Sequence, residues 1–164
     1  MIRKVSIRRG IRKLVFIAVL IGYLWVLVNQ NQTKDLGQKE MAEIFRSMIE
    51  GTEGLKEGED RLLRRYYGID GDSVSAYYLA VPESGMGAEE LLVLKVKNEA
   101  QKEEMESAIL NRNEQQKKSF DGYGAAQYEL LENYVYQEVG SYIFYGVSDE
   151  VEQWEQTFMQ AVKK

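Results

Sequence analysis

One uncharged apolar run stands out in the hydropathy pattern of the chain. Residues 14–28 read Leu-Val-Phe-Ile-Ala-Val-Leu-Ile-Gly-Tyr-Leu-Trp-Val-Leu-Val, and a helix of this sequence is apolar on all faces. Counted from Ile11, about 18 helical residues extend about 27 Å, close to the ~30 Å hydrocarbon core of a bilayer. The run therefore predicts a transmembrane helix that contacts the lipid bilayer through residues 14–28.

The charges beside this run predict its orientation. Six Lys and Arg residues precede it, and no Asp or Glu occurs before Asp35. Because basic flanks stay in the cytoplasm, we expect residues 1–13 to be a cytoplasmic stub and the C-terminal domain to be extracytoplasmic. A cleavable signal peptide is the alternative, but residues 25–30 are bulky or polar and offer no small-residue cleavage site. We therefore expect an uncleaved signal-anchor in the cell membrane.

Beyond a polar linker, predicted over residues 29–39, the apolar positions switch between helical and strand spacing. Spacing of three and four residues predicts five helices, over 38–50, between Asp60 and Gly68, over 99–120, over 125–132 and from Val151 onward. Runs rich in β-branched and aromatic residues predict four strands, over 73–81, 90–97, 134–139 and 141–147. Residues 51–58, which contain three glycines, are predicted to be a loop.

This order of elements predicts the fold class. After the transmembrane helix, residues 40–164 are expected to form one α+β domain. Its sheet is predicted to be four-stranded and largely antiparallel, with two hairpins and with the helices packed on one face.

Charge and missing residue types narrow the function. Six of the 21 Lys and Arg residues precede the apolar run and all 26 Asp and Glu residues follow it, so residues 29–164 carry a formal net charge of −11. This charge argues against binding nucleic acid. The chain has no Cys and no His, which excludes Cys nucleophiles, Ser-His-Asp triads and Cys/His zinc sites. We expect no cofactor, no metal and no enzyme activity.

The second half of the predicted long helix, residues 111–118, is almost wholly polar. It must lie in solvent or bury its side chains in a hydrogen-bonded network. If the chain turns back at Phe120, five polar side chains come together as a patch that is either functional or structural: Arg112, Gln116, Ser119, Tyr123 and Gln127. We favour the structural interpretation, because buried polar groups need partners for folding alone.

Tyrosine is frequent in the predicted strands. Six of the 11 tyrosines fall there: Tyr77, Tyr78, Tyr134, Tyr136, Tyr142 and Tyr145. An exposed row of these rings would suit binding of a glycan or a peptide. Cross-strand aromatic packing that stabilises a thin sheet is the alternative, and we favour it.

Four stretches of the chain form a recognisable set: the polar run from Arg112 to Asn133, the segment Gly-Ser-Tyr-Ile-Phe-Tyr-Gly-Val-Ser at 140–148, Tyr-Gly-Ile-Asp at 67–70 and Glu-Glu-Leu-Leu-Val-Leu-Lys-Val at 89–96. Together these motifs resemble the family of the domain of unknown function 4358. The resemblance covers roughly residues 60–147. It implies a small extracytoplasmic protein of a Gram-positive bacterium, held by a lipid or a membrane helix, and it implies no known activity or catalytic residue.

These observations together predict a non-enzymatic, membrane-tethered module that binds an envelope protein or a cell-wall partner. A small structural subunit of a membrane assembly is one alternative. A carboxylate- or Ser–Lys-dependent envelope hydrolase is another, and it would need a cleft where Glu or Lys side chains meet a nucleophile.

Overall fold

The structure is a computed structural model that describes residues 13–24 and 32–164. Residues 13–24 are helical (α1), and the large apolar side chains of this helix, from Leu14 to Leu24, are exposed. Within the two described ranges, no helix combines the length and the hydropathy that a membrane span requires. Residues 1–12 of the predicted stub, 25–28 of the predicted span and 29–31 of the predicted linker lie outside the described residues.

Residues 33–164 form a unit of their own, and its elements follow the predicted pattern closely. Its helices are α2 (Gln38–Ile49), α3 (Asp60–Tyr67), α4 (Lys102–Phe120), α5 (Ala125–Glu132) and α6 (Val151–Val162). Its strands are β1 (Leu55–Glu57), β2 (Ala76–Pro82), β3 (Glu90–Lys95), β4 (Val135–Val139) and β5 (Tyr142–Val147). The predicted α+β class, with an antiparallel sheet and helices, is confirmed.

The sheet has five strands in the order β1-β2-β3-β5-β4, and each neighbouring pair is antiparallel. The prediction of four strands was wrong, because it assigned β1 to a loop. This strand has three residues and lies between Gly54 and Gly58, so it carries almost no local strand signal. Its pairing with β2 defines it: Lys56 lies opposite Val81.

Helices cover both faces of the sheet, so the prediction that they pack on one face was also wrong. Helices α2 and α6 cover one face, where Phe45 and Phe158 pack on side chains such as Phe144. Helices α3, α4 and α5 cover the other face, where Ile109 packs among side chains such as Leu92. The physical reason lies in the central strands β3 and β5, whose consecutive side chains are buried on alternate faces and need an apolar cover on both.

The chain that enters this unit is fixed to it from Thr33 onward. The Lys34 N–H donates to the Val162 carbonyl at 2.8 Å. The Tyr142 hydroxyl donates to the Lys34 carbonyl at 2.9 Å and accepts from the Leu36 N–H at 2.8 Å. Part of the segment predicted as a linker is therefore hydrogen-bonded to β5 and to the end of α6.

Candidate functional site

A fully buried carboxylate, Glu90, is the centre of a polar network between the sheet and helices α3 and α4. Its Oε1 accepts a hydrogen bond from the Tyr67 hydroxyl at 2.8 Å. Its Oε2 accepts from Arg112 Nε at 3.2 Å, from Arg112 Nη2 at 3.0 Å and from Gln116 Nε2. Glu90 is 0 % exposed and the Arg112 side chain is 16 % exposed, so the two form a largely desolvated ion pair.

The sequence of α4 explains why these polar groups are buried. The residues that α4 turns towards the sheet recur every three or four positions and are Met105, Ile109, Asn113, Gln116 and Phe120. Asn113 Nδ2 donates to the Tyr145 hydroxyl at 3.0 Å and to the Leu131 carbonyl at 3.2 Å. The second half of α4 thus continues the buried stripe of the first half with amides in place of apolar side chains, and each amide has partners.

Burial shifts the ionisation of this network. Desolvation raises the pKa of the Glu90 carboxyl, although Arg112 and the donors from Tyr67 and Gln116 oppose the shift. Desolvation and the Glu90 charge raise the pKa of Tyr67 well above its usual value, and they also raise that of Tyr145. The two phenols therefore stay protonated over the physiological pH range, Tyr67 as a donor to Glu90 and Tyr145 as an acceptor from Asn113.

The predicted polar patch is divided by the fold. Arg112 and Gln116 meet at Glu90, and Ser119 lines the same small pocket as they do, but Tyr123 and Gln127 lie elsewhere. Ser119 is exposed, and its hydroxyl donates back to the Gln115 carbonyl at 3.0 Å. Tyr123 is 73 % exposed and has its ring 6.0 Å from Phe120.

Gln127, the fifth residue of the predicted patch, has a role in holding the loop between β2 and β3. Its Oε1 accepts a hydrogen bond from the Ala88 N–H at 2.8 Å. This bond ties α5 to the end of the loop, two residues before Glu90. Of the five residues, Arg112 and Gln116 share a buried partner, Ser119 and Tyr123 lie at the surface, and Gln127 holds the loop.

The strand tyrosines are mostly packed in the interior. Tyr78, Tyr142 and Tyr145 are at most 2 % exposed, and Tyr77, Tyr134 and Tyr136 are half-buried. Tyr136 lies opposite Tyr145 across β4 and β5, and the Tyr134 ring centre is 5.9 Å from that of Tyr145. These contacts are the cross-strand packing that stabilises a sheet.

A wide cleft of about 1150 Å³ opens beside the network. It lies between the β2–β3 loop, α5 and the start of α6, and its floor includes the apolar side chains of Leu130, Val135 and Val151. Among the residues that the structure describes, no Lys or Arg side chain lines it, and six carboxylates do: Glu53, Glu89, Glu129, Glu132, Asp149 and Glu152. One of them, Glu132, lies 3.5 Å from Lys117 Nζ.

A smaller pocket of about 230 Å³ lies on the other side of the β2–β3 loop. Arg112, Gln116 and Ser119 of α4 line it, together with Lys56 and Tyr66. The Arg112 guanidinium carbon is 4.1 Å from the centre of the Tyr66 ring. Pro82, Ser84 and Gly87 are shared by the two concavities, so the loop is the wall between them.

The network and the cleft differ in the acid–base chemistry that their side chains permit. Glu90 has four donors on its two oxygens and is fully buried, which makes it a structural charge rather than an acid or base for a bound molecule. In the cleft, the Ser148 hydroxyl donates to Glu89 Oε1 at 2.8 Å and accepts from the Glu150 N–H at 3.2 Å. Within residues 13–24 and 32–164, no lysine lines this cleft to serve as a base for that hydroxyl. Among the described residues, no group of three or more acidic side chains is arranged to hold a metal ion.

Three residues of the network were not singled out from the sequence: Glu90, Tyr67 and Asn113. A signal for Glu90 was present, because the strand period places it on the same face as Leu92 and Leu94. Asn113 occupies the stripe that begins with Met105 and Ile109, four residues after the latter. Nothing local points to the Tyr67 hydroxyl.

The fold and this network define a small α+β domain with a buried ion pair beneath two surface concavities. Residues 48–148 match the sequence model described as Domain of unknown function (DUF4358), and the chain belongs to this family. The match contains the whole network, the β2–β3 loop and all five strands. No curated protein and no solved structure matches the chain.

Proposed function

We propose that the chain is a single-pass protein of the bacterial cell membrane, with a cytoplasmic N-terminus and an extracytoplasmic C-terminal domain. The observation that supports the anchor is the uncharged run 14–28, preceded by six basic residues. In the described part of the run, the large apolar side chains are 47–70 % exposed. Side chains of this kind each gain about 1.5–3 kcal/mol on transfer out of water, so the segment needs an apolar environment.

Protease digestion tests this topology. Cells whose wall has been removed would carry the full chain with one epitope after Lys164 and a different epitope before Met1. Protease added outside is expected to remove the C-terminal epitope and to leave the N-terminal one until the cells are lysed. A C-terminal epitope that survives until lysis would contradict the proposed orientation.

We propose that the extracytoplasmic domain is a non-enzymatic binding module, and that it holds a cationic segment of an envelope protein in the acid-lined cleft. The cleft supports this proposal because it combines a large volume, an apolar floor and six carboxylates, with no cation lining it in the described part of the chain. Carboxylates in a concave surface attract basic side chains and raise the rate of encounter. The Gln127–Ala88 hydrogen bond and the Ser148–Glu89 hydrogen bond stabilise two of its walls.

Site-specific photocrosslinking in cells tests the binding surface. A photoreactive side chain would be placed at Glu129 or Glu152, both exposed in the cleft, and at Glu104, an exposed glutamate of α4 outside it. We expect the two cleft positions to give the same protein adduct and Glu104 to give none. Adducts of equal yield at all three positions, or adducts at Glu104 alone, would refute the cleft as the binding surface.

A further inference from the structure

The small pocket above Arg112 has the features of a second binding site. Lys56, Tyr66, Arg112 and Ser119 line it, with Pro82 at the end of β2 and Glu83, Ser84, Gly85 and Gly87 of the β2–β3 loop on one side. We infer that this pocket binds the carboxylate of a small singly charged ligand. The inference concerns the concavity on the opposite side of the β2–β3 loop from the acid-lined cleft, which shares Pro82, Ser84 and Gly87 with it, and it does not depend on the membrane anchor.

Arg112 supplies a fixed cation with unused donors. Its Nε and Nη2 atoms both donate to Glu90 Oε2, and its guanidinium packs on the Tyr66 ring at 4.1 Å. Nη1 donates to no acceptor among the described residues. In the described ranges, the fully buried side-chain N and O atoms without a partner are Tyr78 Oη and Trp154 Nε1. Arg112 Nη1 is not among them, so it is not fully buried. Because Nη1 is not fully enclosed and Arg112 lines the pocket, Nη1 is the donor that we expect a ligand to meet, held in place before the ligand arrives.

The charges around the pocket argue against a doubly charged ligand. Glu90 neutralises Arg112 from behind, and Glu83 is a carboxylate on the pocket wall. Lys56 is exposed and makes no ion pair among the described residues, so its ammonium is available to a ligand. The formal charges of these four groups sum to zero, so we expect a dianion such as phosphate to bind here less well than a monoanion that uses the free donors of Arg112 and Lys56.

The volume of the pocket and the Ser84 hydroxyl also suit a small carboxylate ligand. A water molecule takes about 30 Å³ of liquid, so a pocket of about 230 Å³ holds a group of several heavy atoms. The Ser84 Oγ accepts a hydrogen bond from the Met86 N–H at 3.4 Å and keeps its own proton for a ligand oxygen. A carboxylate between Arg112, Lys56 and Ser84 would accept a charge-assisted hydrogen bond from each cation.

NMR titration of the full chain in a non-ionic detergent tests the site with three probes: N-acetylglycine, acetate and N-acetylglycinamide, which lacks the carboxylate. We expect saturable shifts of the Gly85 and Gly87 amides with both carboxylates and none with the amide. Tighter binding of N-acetylglycine than of acetate would assign the site to a peptide C-terminus, and equal binding would assign it to a small organic acid.

Lys56→Gln is the informative variant, because Lys56 is exposed and its loss leaves the buried network intact. We expect it to weaken N-acetylglycine at least threefold, while Lys39→Gln, an exposed lysine of α2 outside the pocket, leaves the affinity unchanged. The inference is overturned if N-acetylglycinamide shifts the same amides, if Lys56→Gln binds as well as the parent, or if inorganic phosphate binds more tightly than N-acetylglycine.

Discussion

Removal of the Arg112 charge is the most informative perturbation of the fold. Arg112→Met keeps the apolar stem and deletes both hydrogen bonds to Glu90 Oε2, leaving a carboxylate that is 0 % exposed without its cation. Breaking a buried ion pair from one side costs about 3–5 kcal/mol. Because the Arg112 side chain is 16 % exposed beside a pocket, water will partly solvate Glu90, and we expect a loss of about 3 kcal/mol.

Urea unfolding of the full chain in a non-ionic detergent measures this loss. With a slope of about 2 kcal/mol per molar urea, the midpoint should fall by about 1.5 M at pH 8. In the double variant Glu90→Gln with Arg112→Met no buried charge remains, so at least ~1 kcal/mol of the loss should be recovered. Arg61→Met, an exposed residue of α3, is the control and should stay within ~0.5 kcal/mol of the parent.

The same variant has a defined pH dependence. Burial already raises the pKa of Glu90, and loss of Arg112 raises it further, so the folded state binds a proton that the unfolded state releases. The stability of Arg112→Met therefore falls as the pH rises from the unfolded-state pKa of Glu90 towards its folded-state pKa. The loss of stability relative to the parent should accordingly be smaller at acid pH. A deficit below ~1 kcal/mol at pH 8, or one that is the same at pH 8 and pH 5, would refute the structural role of the pair.

Three further predictions concern the edges of the domain. Lys95 lowers the pKa of Asp35, so Asp35→Asn should be less stable than the parent at pH 7. This difference in stability should disappear as the pH falls below 3.8, the usual pKa of Asp, because Asp35 of the parent then becomes protonated. Gly140→Ala should cost about 1–2 kcal/mol in urea unfolding, because Gly140 has a φ of 55°. Gln127→Ala should speed hydrogen exchange of the Ala88 amide at least tenfold, because that amide loses its acceptor.

Each of these has a result that would contradict it. For Asp35→Asn it is a stability difference from the parent that persists unchanged in strong acid. For Gly140→Ala it is a midpoint no lower than that of Gly85→Ala, the matched control, since a Cβ at Gly85 meets nothing within 4 Å. For Gln127→Ala it is unchanged exchange at the Ala88 amide.

The sequence predicted the elements better than their assembly. Helix α5 and the hairpin at Gly140 follow local spacing and turn chemistry, and both were predicted correctly. Strand β1 was missed because its three residues are defined by pairing with β2 and not by their own pattern. The second helical layer was missed because Leu91 and Val93, apolar on the face opposite Leu92, were not interpreted as a face that needs its own cover.

The site was predictable only in part, for a related reason. The polar half of α4 indicated that Arg112 needed either solvent or a buried partner, but which carboxylate it meets depends on how α4 lies across β3. Glu90 begins its strand, a position where a charge is usually at the surface. The cleft is formed by Glu53, Glu89, Glu129 and Asp149, which are distant in sequence, and no local pattern brings them together.

Charge reversal within the acid-lined cleft tests most directly whether the cleft binds a cationic protein segment. A photoreactive side chain at Ala126, an exposed cleft residue, would report binding in cells, with and without Glu129→Lys and Glu152→Lys together. We predict that the adduct formed by the parent is lost in the charge-reversed chain while its thermal unfolding is unchanged. An adduct of undiminished yield after charge reversal would contradict the proposed function.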